Sequence, residues 1–418
     1  MIRLPLLLLS LCASLILPSW AHATETAQNS NELRQFIQQL WQQSPELAAA
    51  KAAIEAAQAQ ADAASQPLYN PSLQLDAERS DISSATLGLS QTLDWHDKRL
   101  ARQNSTRRAI SAYQTRLHLI RTQLSNDTLL ALSRYQTTQQ LFALASQRSE
   151  LMQRFSSSVQ TRYRAGDMRL LDTALAKLAY SEAVMQQASR AADLADNEAT
   201  LHALTGVSRN WPQLPTKTPP PPVTVETEAL LENLAEMQMQ RAQLILSKNR
   251  IQQAEQEQQA DPTLGLSGGR DGSENRIGLS LEIPLFIRND FSAEVLTARH
   301  QAQQAEQDYL TQQRRARAKL SGALKRFQTM NQAWQGWLKS GQQAQNDQKK
   351  WLEQLWNAGE LSASDYLLQA KQSIDTQVAA LSLKGELQQA HLLWLSASGQ
   401  MNDWLNLSTQ ASPSGEQQ

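Results

Sequence analysis

The sequence predicts a mainly α-helical chain with a small β part, arranged as two structural repeats. Three observations carry this: proline is missing from two very long stretches, apolar residues recur there at heptad spacing, and short period-two segments precede each stretch. The composition agrees. Of 418 residues only 41% are hydrophobic and 6% aromatic, with 15 Gly and 14 Pro, which suits long exposed helices better than a compact multidomain enzyme. The 39 basic and 40 acidic side chains balance without a basic block, so no nucleic-acid partner is expected.

Residues 1–23 read as a secretory signal, with Arg3, the apolar run Leu4 to Pro18, and Ala21-His22-Ala23 as the cleavage site. A lipoprotein reading would use Cys12, but Leu11 stands before it where a small residue is wanted. Cys12 is the only cysteine, so neither a disulfide framework nor a thiolate metal site is available to the mature chain. No later run reaches about 18 apolar residues, so a membrane role could come only from strands.

No proline occurs between Pro71 and Pro212 or between Pro284 and Pro413. Six of the 14 lie between Trp211 and Pro222, a stretch expected to be extended, stiff and exposed. It divides the chain into a first repeat (24–206), a Pro-rich linker (207–223), a second repeat (224–405) and a flexible tail (406–418). The halves echo each other: Asn70-Pro71-Ser72-Leu73 returns as Asp261-Pro262-Thr263-Leu264, Ala165-Gly166-Asp167-Met168 as Ala358-Gly359-Glu360-Leu361, and Leu201 to Gly206 as Trp394 to Gly399.

Each unit reads helix, strand, strand, long helix, Gly turn, helix. A first helix is expected over 31–65, with Leu40, Leu47 and Ile54 on one stripe. The long helices carry Ile110, Tyr113, Leu117, Ile120 and Leu124 in the first unit and Leu320, Leu324, Phe327, Trp334 and Trp337 in the second. About sixty helical residues span roughly 90 Å, more than a globular domain needs. In the strands Leu73, Leu75 and Ala77, then Leu87, Leu89, Leu93 and Trp95, alternate with polar residues, as do Ile277, Leu279, Leu281, Ile283 and Leu285. Segments of about nine to eleven residues fit tilted strands across a bilayer. The turns are placed at Arg79 to Ala85 and Gly268 to Asn275, and Tyr69, Trp95 and Phe286 at strand ends suit either an interfacial girdle or ordinary packing. Four strands cannot close a barrel and an open edge is not tolerated in lipid, so the chain must oligomerise. Three copies, with twelve strands, are the smallest assembly with room for an aqueous lumen.

The mature histidines, His96, His118, His202, His300 and His391, are too scattered for a zinc site, and Gly268 to Gly272 lacks the Lys-Ser/Thr ending of a phosphate loop and reads as a hairpin loop. No cofactor, metal or enzymatic activity is expected.

The paired strands, the heptad helices meeting at Ala-Gly, and the Leu-x-x-Leu-x-Gly helix end together resemble the TolC-like outer membrane efflux proteins, over nearly the whole mature chain. The resemblance implies a trimeric outer-membrane β-barrel of twelve strands continued by a long periplasmic α-helical barrel. It would be the passive exit duct of a tripartite system in a Gram-negative outer membrane, partnered by a periplasmic adaptor and an inner-membrane transporter of the RND type. On this resemblance Ala165, Gly166, Asp167, Met168, Ala358, Gly359, Glu360 and Leu361 are adaptor-docking tips, and Asp172 and Asp365 narrow the periplasmic aperture. For both sets a purely local role, a helix break or a helix-start acid facing the dipole, stands as the alternative. The family's second aspartate on that face is replaced by Leu368. The absent lipidated cysteine and the segment Ser90 to Arg99 look most like the branch serving heavy-metal cation pumps of the cobalt, zinc and cadmium or copper and silver type. Drug efflux and type I secretion are the alternatives within the family, and a periplasmic coiled-coil structural protein is the alternative outside it.

Overall fold

The structure is a computed structural model that describes residues 21–79, 83–208 and 210–407. Residues 1–20, which include Cys12 and most of the signal expected over 1–23, residues 80–82, Arg209 and the residues from 408 lie outside the described residues. The order is α1 (Ala21–Gln43), α2 (Pro45–Ser65), β1 (Ser72–Arg79), β2 (Ser83–Thr92), α3 (Lys98–Arg164) and α4 (Leu170–Thr205). There follow α5 (Thr227–Asn233), α6 (Ala235–Glu257), β3 (Thr263–Asp271), β4 (Glu274–Glu282), α7 (Ser292–Gly336), a π-helical turn (Trp337–Gly341), α8 (Gln342–Ala358), α9 (Ala363–Ser398) and α10 (Met401–Trp404). The chain is therefore mainly helical with one small antiparallel sheet. No described helix is long and apolar enough to cross a membrane.

The single helix expected over 31–65 is two. Ser44 accepts a hydrogen bond from Leu47 N at 3.4 Å and Pro45 occupies the first turn of α2, so the chain breaks there by N-capping, the one place in a helical run where proline is favourable. Leu40 and Leu47 still share the core, with Leu33, Ile37, Leu129, Leu132, Leu201, Leu320, Phe327 and Leu392. At 67 residues α3 is about 100 Å long, and it packs along α2, α4, α6 and α9. The 45, 5 and 17 residues of α7, the π turn and α8 match that length, and α4 and α9 each hold 36 residues. Within the expected second seam, Leu320 and Phe327 are buried, but Trp337 begins the π turn, so the stripe does not run unbroken.

The proline-rich stretch is not a free spacer. Gln136 of α3 donates to Pro212 O at 2.9 Å and accepts from Leu214 N at 3.3 Å, while Gln388 and Gln328 donate to Pro215 O and Pro222 O. Leu214 is buried and Trp211 packs edge-on to Tyr135. Prolines remove backbone donors but keep carbonyls, and the glutamine amides satisfy those carbonyls while the apolar rings cover the core.

The sheet runs in the order β1-β2-β3-β4, all antiparallel, leaving β1 and β4 as edges. Its strands hold 8, 10, 9 and 9 residues. Trp95, Ile283 and Leu285 therefore fall beyond the paired strands, while Leu93, just past β2, still donates its N–H across to Pro262 O at 2.9 Å. The second turn is also shorter than expected: Gly268 to Asp271 belong to β3 and only Gly272-Ser273 turns. Within the strand, a Cβ on residue 269 would collide with the backbone at Ala85 and Thr86, so glycine lets β2 and β3 approach.

The register aligns Leu73, Leu89, Leu266 and Leu279 in one row and Leu75, Leu87, Gly268 and Ile277 in the next. Ser72, Ser90, Gly265 and Ser280 form a row on the opposite face. The leucine face is open, with Leu73 at 71% and Leu279 at 87% exposure.

Where the sheet meets the helices, Asp261 is buried and gathers several connections, His96 Nδ1 at 3.5 Å among them. Tyr69 Oη donates to it at 2.7 Å, Lys98 Nζ lies at 3.0 Å and Trp95 N at 3.3 Å. Burial alone would raise the Asp261 pKa, but the bonds from Tyr69 and Lys98 outweigh it and hold the carboxyl below its usual range. Burial and the bond to Asp261 push Tyr69 up to about 12. Of the other strand-end aromatics, Trp95 is 70% exposed and Phe286 packs edge-on to Phe291.

Replacing Asp261 by Asn leaves the buried Lys98 ammonium without its counter-charge, a change that costs roughly 3 kcal/mol or more. Thermal unfolding of detergent-solubilised Asp261→Asn should show a clear loss, and adding Lys98→Met should recover much of it; equal stability of wild type and Asp261→Asn would mean that the pair does not hold the junction. His391 in α9, buried against Phe327 and Trp404, has its pKa lowered to about 4 by burial. The unfolded state then binds the proton more tightly than the folded state, so stability present above about 6.5 falls as the pH drops toward about 4, by on the order of 3 kcal/mol. Unfolding midpoints measured across that window should decline less for His391→Phe than for wild type.

Candidate functional site

The two helical hairpins end in the same backbone device. At the first, Gly166 N donates to Tyr163 O and Asp167 N to Arg162 O, at 3.0 and 2.9 Å. At the second, Gly359 N donates to Trp356 O and Glu360 N to Leu355 O, at 3.2 and 3.0 Å. Both are paired 5→2 and 6→1 bonds that satisfy the last helical carbonyls around a left-handed residue. Gly166 has φ +87° and Gly359 φ +76°, with open space where a Cβ would stand, so backbone conformation and not crowding calls for glycine. Ala165 and Ala358 close the incoming helices, and Asp167-Met168 and Glu360-Leu361 lead to the next caps.

Asp172 and Asp365 each occupy the third position of the outgoing helix and both serve its N-terminus. Asp172 is buried, accepts from Arg169 N at 3.0 Å, and takes two bonds from the Arg169 guanidinium at 3.1 Å. The Arg169 bonds, first side-chain and then backbone, hold its pKa below the usual carboxylate range. Asp365 is exposed and shares its bonds with Ser362, whose hydroxyl lies 2.6 Å from its carboxylate and accepts from Asp365 N. Within one chain the two acids are capping groups, and Leu368 beside Asp365 is 67% exposed.

The structure joins the two ends through residues that periodicity did not single out. Phe155 of α3, Trp356 of α8 and Tyr366 of α9 stack with centroids 4.6 to 5.2 Å apart, and Met168 and Leu361 of the turns pack against the same cluster. Arg162 lies over the Trp356 ring at 4.6 Å and donates to Trp356 O at 3.4 Å. The available signal was compositional: an aromatic residue, Tyr163 or Trp356, stands three places before each turn glycine. Higher up, Arg148 of α3 reaches Asp375 of α9 at 3.2 Å and Glu182 of α4 at 3.7 Å, and Lys371 reaches Glu182 at 3.1 Å. Three helices are thus tied by one charge network. Among the described residues no group of three or more His, Cys, Asp or Glu is placed to hold a metal ion.

Residues 36–207 match the family model described as outer membrane efflux protein. The chain is 25% identical over 255 residues to the cobalt-zinc-cadmium resistance protein CzcC of Cupriavidus metallidurans; the alignment covers 58% of this chain and 60% of that relative. The fold is similar to that of CusC, with TM-score 0.71 and 17% identity over 88% of this chain and 92% of that one. It is also similar to the Campylobacter jejuni CmeC outer membrane channel, with TM-score 0.75 and 14% identity over 88% and 86%. With its long helical hairpins and its leucine-faced four-stranded sheet, the chain thus shares the fold of these outer membrane channels, and its residues 36–207 are similar to outer membrane efflux proteins.

Proposed function

We propose that this chain is the outer-membrane channel of a tripartite efflux system, a passive duct from periplasm to exterior that works as a homotrimer and carries heavy-metal cations. The observation that carries the reading is the sheet: one face is exposed leucine, the other serine and glycine, and both edge strands are unpaired. In lipid every backbone group must be paired, so the edges have to meet those of neighbouring copies, and three copies make twelve strands around a polar lumen. On α4, Leu171, Leu178 and Met185 recur at seven-residue spacing and are 61%, 67% and 65% exposed, a seam for a helix of the adjacent copy.

The two halves are proposed as repeats of one unit, a reading supported by the equal lengths of α4 and α9 and of α3 and the α7-to-α8 run. The turns at Ala165-Gly166-Asp167-Met168 and Ala358-Gly359-Glu360-Leu361 are proposed to dock the periplasmic adaptor, which links the duct to an inner-membrane transporter of the RND type. Asp172 and Asp365 are proposed to lie at the periplasmic aperture. The metal assignment is supported by the name of the cobalt-zinc-cadmium resistance relative. Nothing in the duct need bind metal for this, since selection can rest with the pump.

Valine at Gly166 or Gly359 forces a β-branched residue into the left-handed region and should abolish export while detergent-extracted protein still runs as a trimer. Wild-type export by either variant would show that the tips are placed wrongly, and recovery of wild type as a soluble monomer would sink the channel. A deletion strain, assayed for intracellular cobalt, zinc, cadmium, copper and silver alongside dyes and antibiotics, should accumulate metal selectively. Drug sensitivity at normal metal levels would keep the channel and overturn its substrate.

A further inference from the structure

The sheet sorts its charges by face. Strand alternation and register put Asp76, Glu78, Asp271, Glu274 and Glu282 on the face of serine and glycine, where Arg276 meets Asp271 at 2.9 Å. Arg79 and Arg270 fall on the other face, continuing the leucine rows toward the hairpin turns. Arg270 stands opposite Ala85 and Asn275, and Arg79 opposite Ser83, one row nearer the turns. Both arginines are exposed, neither has an ion pair among the described residues, and no described strand carboxylate shares their face.

Segregation of this kind is not what a water-washed surface needs, since mixed charges solubilise it equally well. It makes sense at the edge of a hydrocarbon layer. There a guanidinium costs little, because its stem covers apolar surface while its head reaches the polar boundary. From the strand spacing and the rise per residue the two Cα atoms are about 12 Å apart, close enough for two extended arginines to converge on one headgroup. The small side chains of Ala77 and Ala85 leave the space beside them open. The planar fork of donors matches phosphate oxygens, and among the described strand residues the nearest carboxylates face the opposite side of the sheet.

We propose that Arg79 and Arg270 bind the phosphate groups of anionic lipid in the outer leaflet, fixing the height of the sheet in the membrane. The inference rests on the reading of the sheet as a membrane barrel wall with its hairpin turns outermost, the ends farthest from the helices.

The test is titration of the purified, detergent-extracted protein with lipid A carrying its phosphates, with phosphatase-treated lipid A and with inorganic phosphate, read by native mass spectrometry. Wild type should bind the phosphorylated lipid and not the treated one. The double variant Arg79→Gln/Arg270→Gln should bind roughly thirtyfold more weakly, Arg79→Lys/Arg270→Lys should retain most of the affinity, and Arg276→Gln should bind like wild type. Equal binding by wild type and the Gln pair, or an equal loss in Arg276→Gln, overturns the site. Displacement of the lipid by an equal concentration of inorganic phosphate overturns the lipid assignment. Should the Gln pair not assemble, the single Gln variants decide, each being expected to lose part of the affinity. Outer-membrane fractionation of wild type is run in parallel: its absence from that fraction removes the channel reading, whereas trimers whose lipid binding ignores Arg79 and Arg270 remove only this inference.

Discussion

An open four-stranded sheet with leucine on one face is the constraint on which this molecule turns. Its interior strands satisfy each other, but β1 and β4 each present a row of unpaired peptide groups, and the leucines of the outer rows are more than half exposed. Neither water nor lipid accommodates that arrangement in a single chain: water rejects the leucines, and lipid rejects the edges. In the proposed assembly, closure by further copies removes both objections together, and a small sheet then governs the assembly of a chain that is otherwise helix.

The helices answer the same geometry. Each strand pair is followed by a helix of some 67 residues, and the junction must transmit orientation from a sheet to those helices without a hydrophobic core of its own. Asp261 does this with polar chemistry. One buried carboxylate holds Tyr69 before β1, the Trp95 amide after β2 and Lys98 at the start of α3, so three chain segments are fixed relative to β3. Buried charge is expensive, and here every bond the carboxylate accepts comes from a group that needs a partner as much as it does.

At the far end the two hairpin turns are local structures, each closed by its own backbone bonds, yet they form one head because Phe155, Trp356 and Tyr366 stack between them and Arg162 lies over Trp356. Asp172 and Asp365 differ more than their matching positions suggest. Asp172 is enclosed by Arg169, whereas Asp365 leans on Ser362 and stays open. Two turns of similar sequence therefore present different electrostatic surfaces.

The sequence alone determined the features governed by neighbours along the chain. Proline spacing located the long helices, period-two leucines located the strands, and glycine at 166 and 359 located turns that need a left-handed residue. Those features also carry the resemblance to outer membrane efflux proteins, to which residues 36–207 are similar. The break at Ser44 that turns one expected helix into two is equally local, a cap closed by Leu47 N beside Pro45. What only tertiary structure decided are relations between distant residues: the glutamines that bind a proline-rich stretch expected to be exposed, the transfer of Gly268 to Asp271 from turn to strand, and the aromatic bridge between the hairpin ends. The physical reason is common to all of these. Periodicity and turn chemistry are set by backbone torsions a few residues apart, whereas a hydrogen bond from Gln136 to Pro212, or a glycine made necessary by the backbone at Ala85, exists only once folding has brought remote segments within a few ångströms.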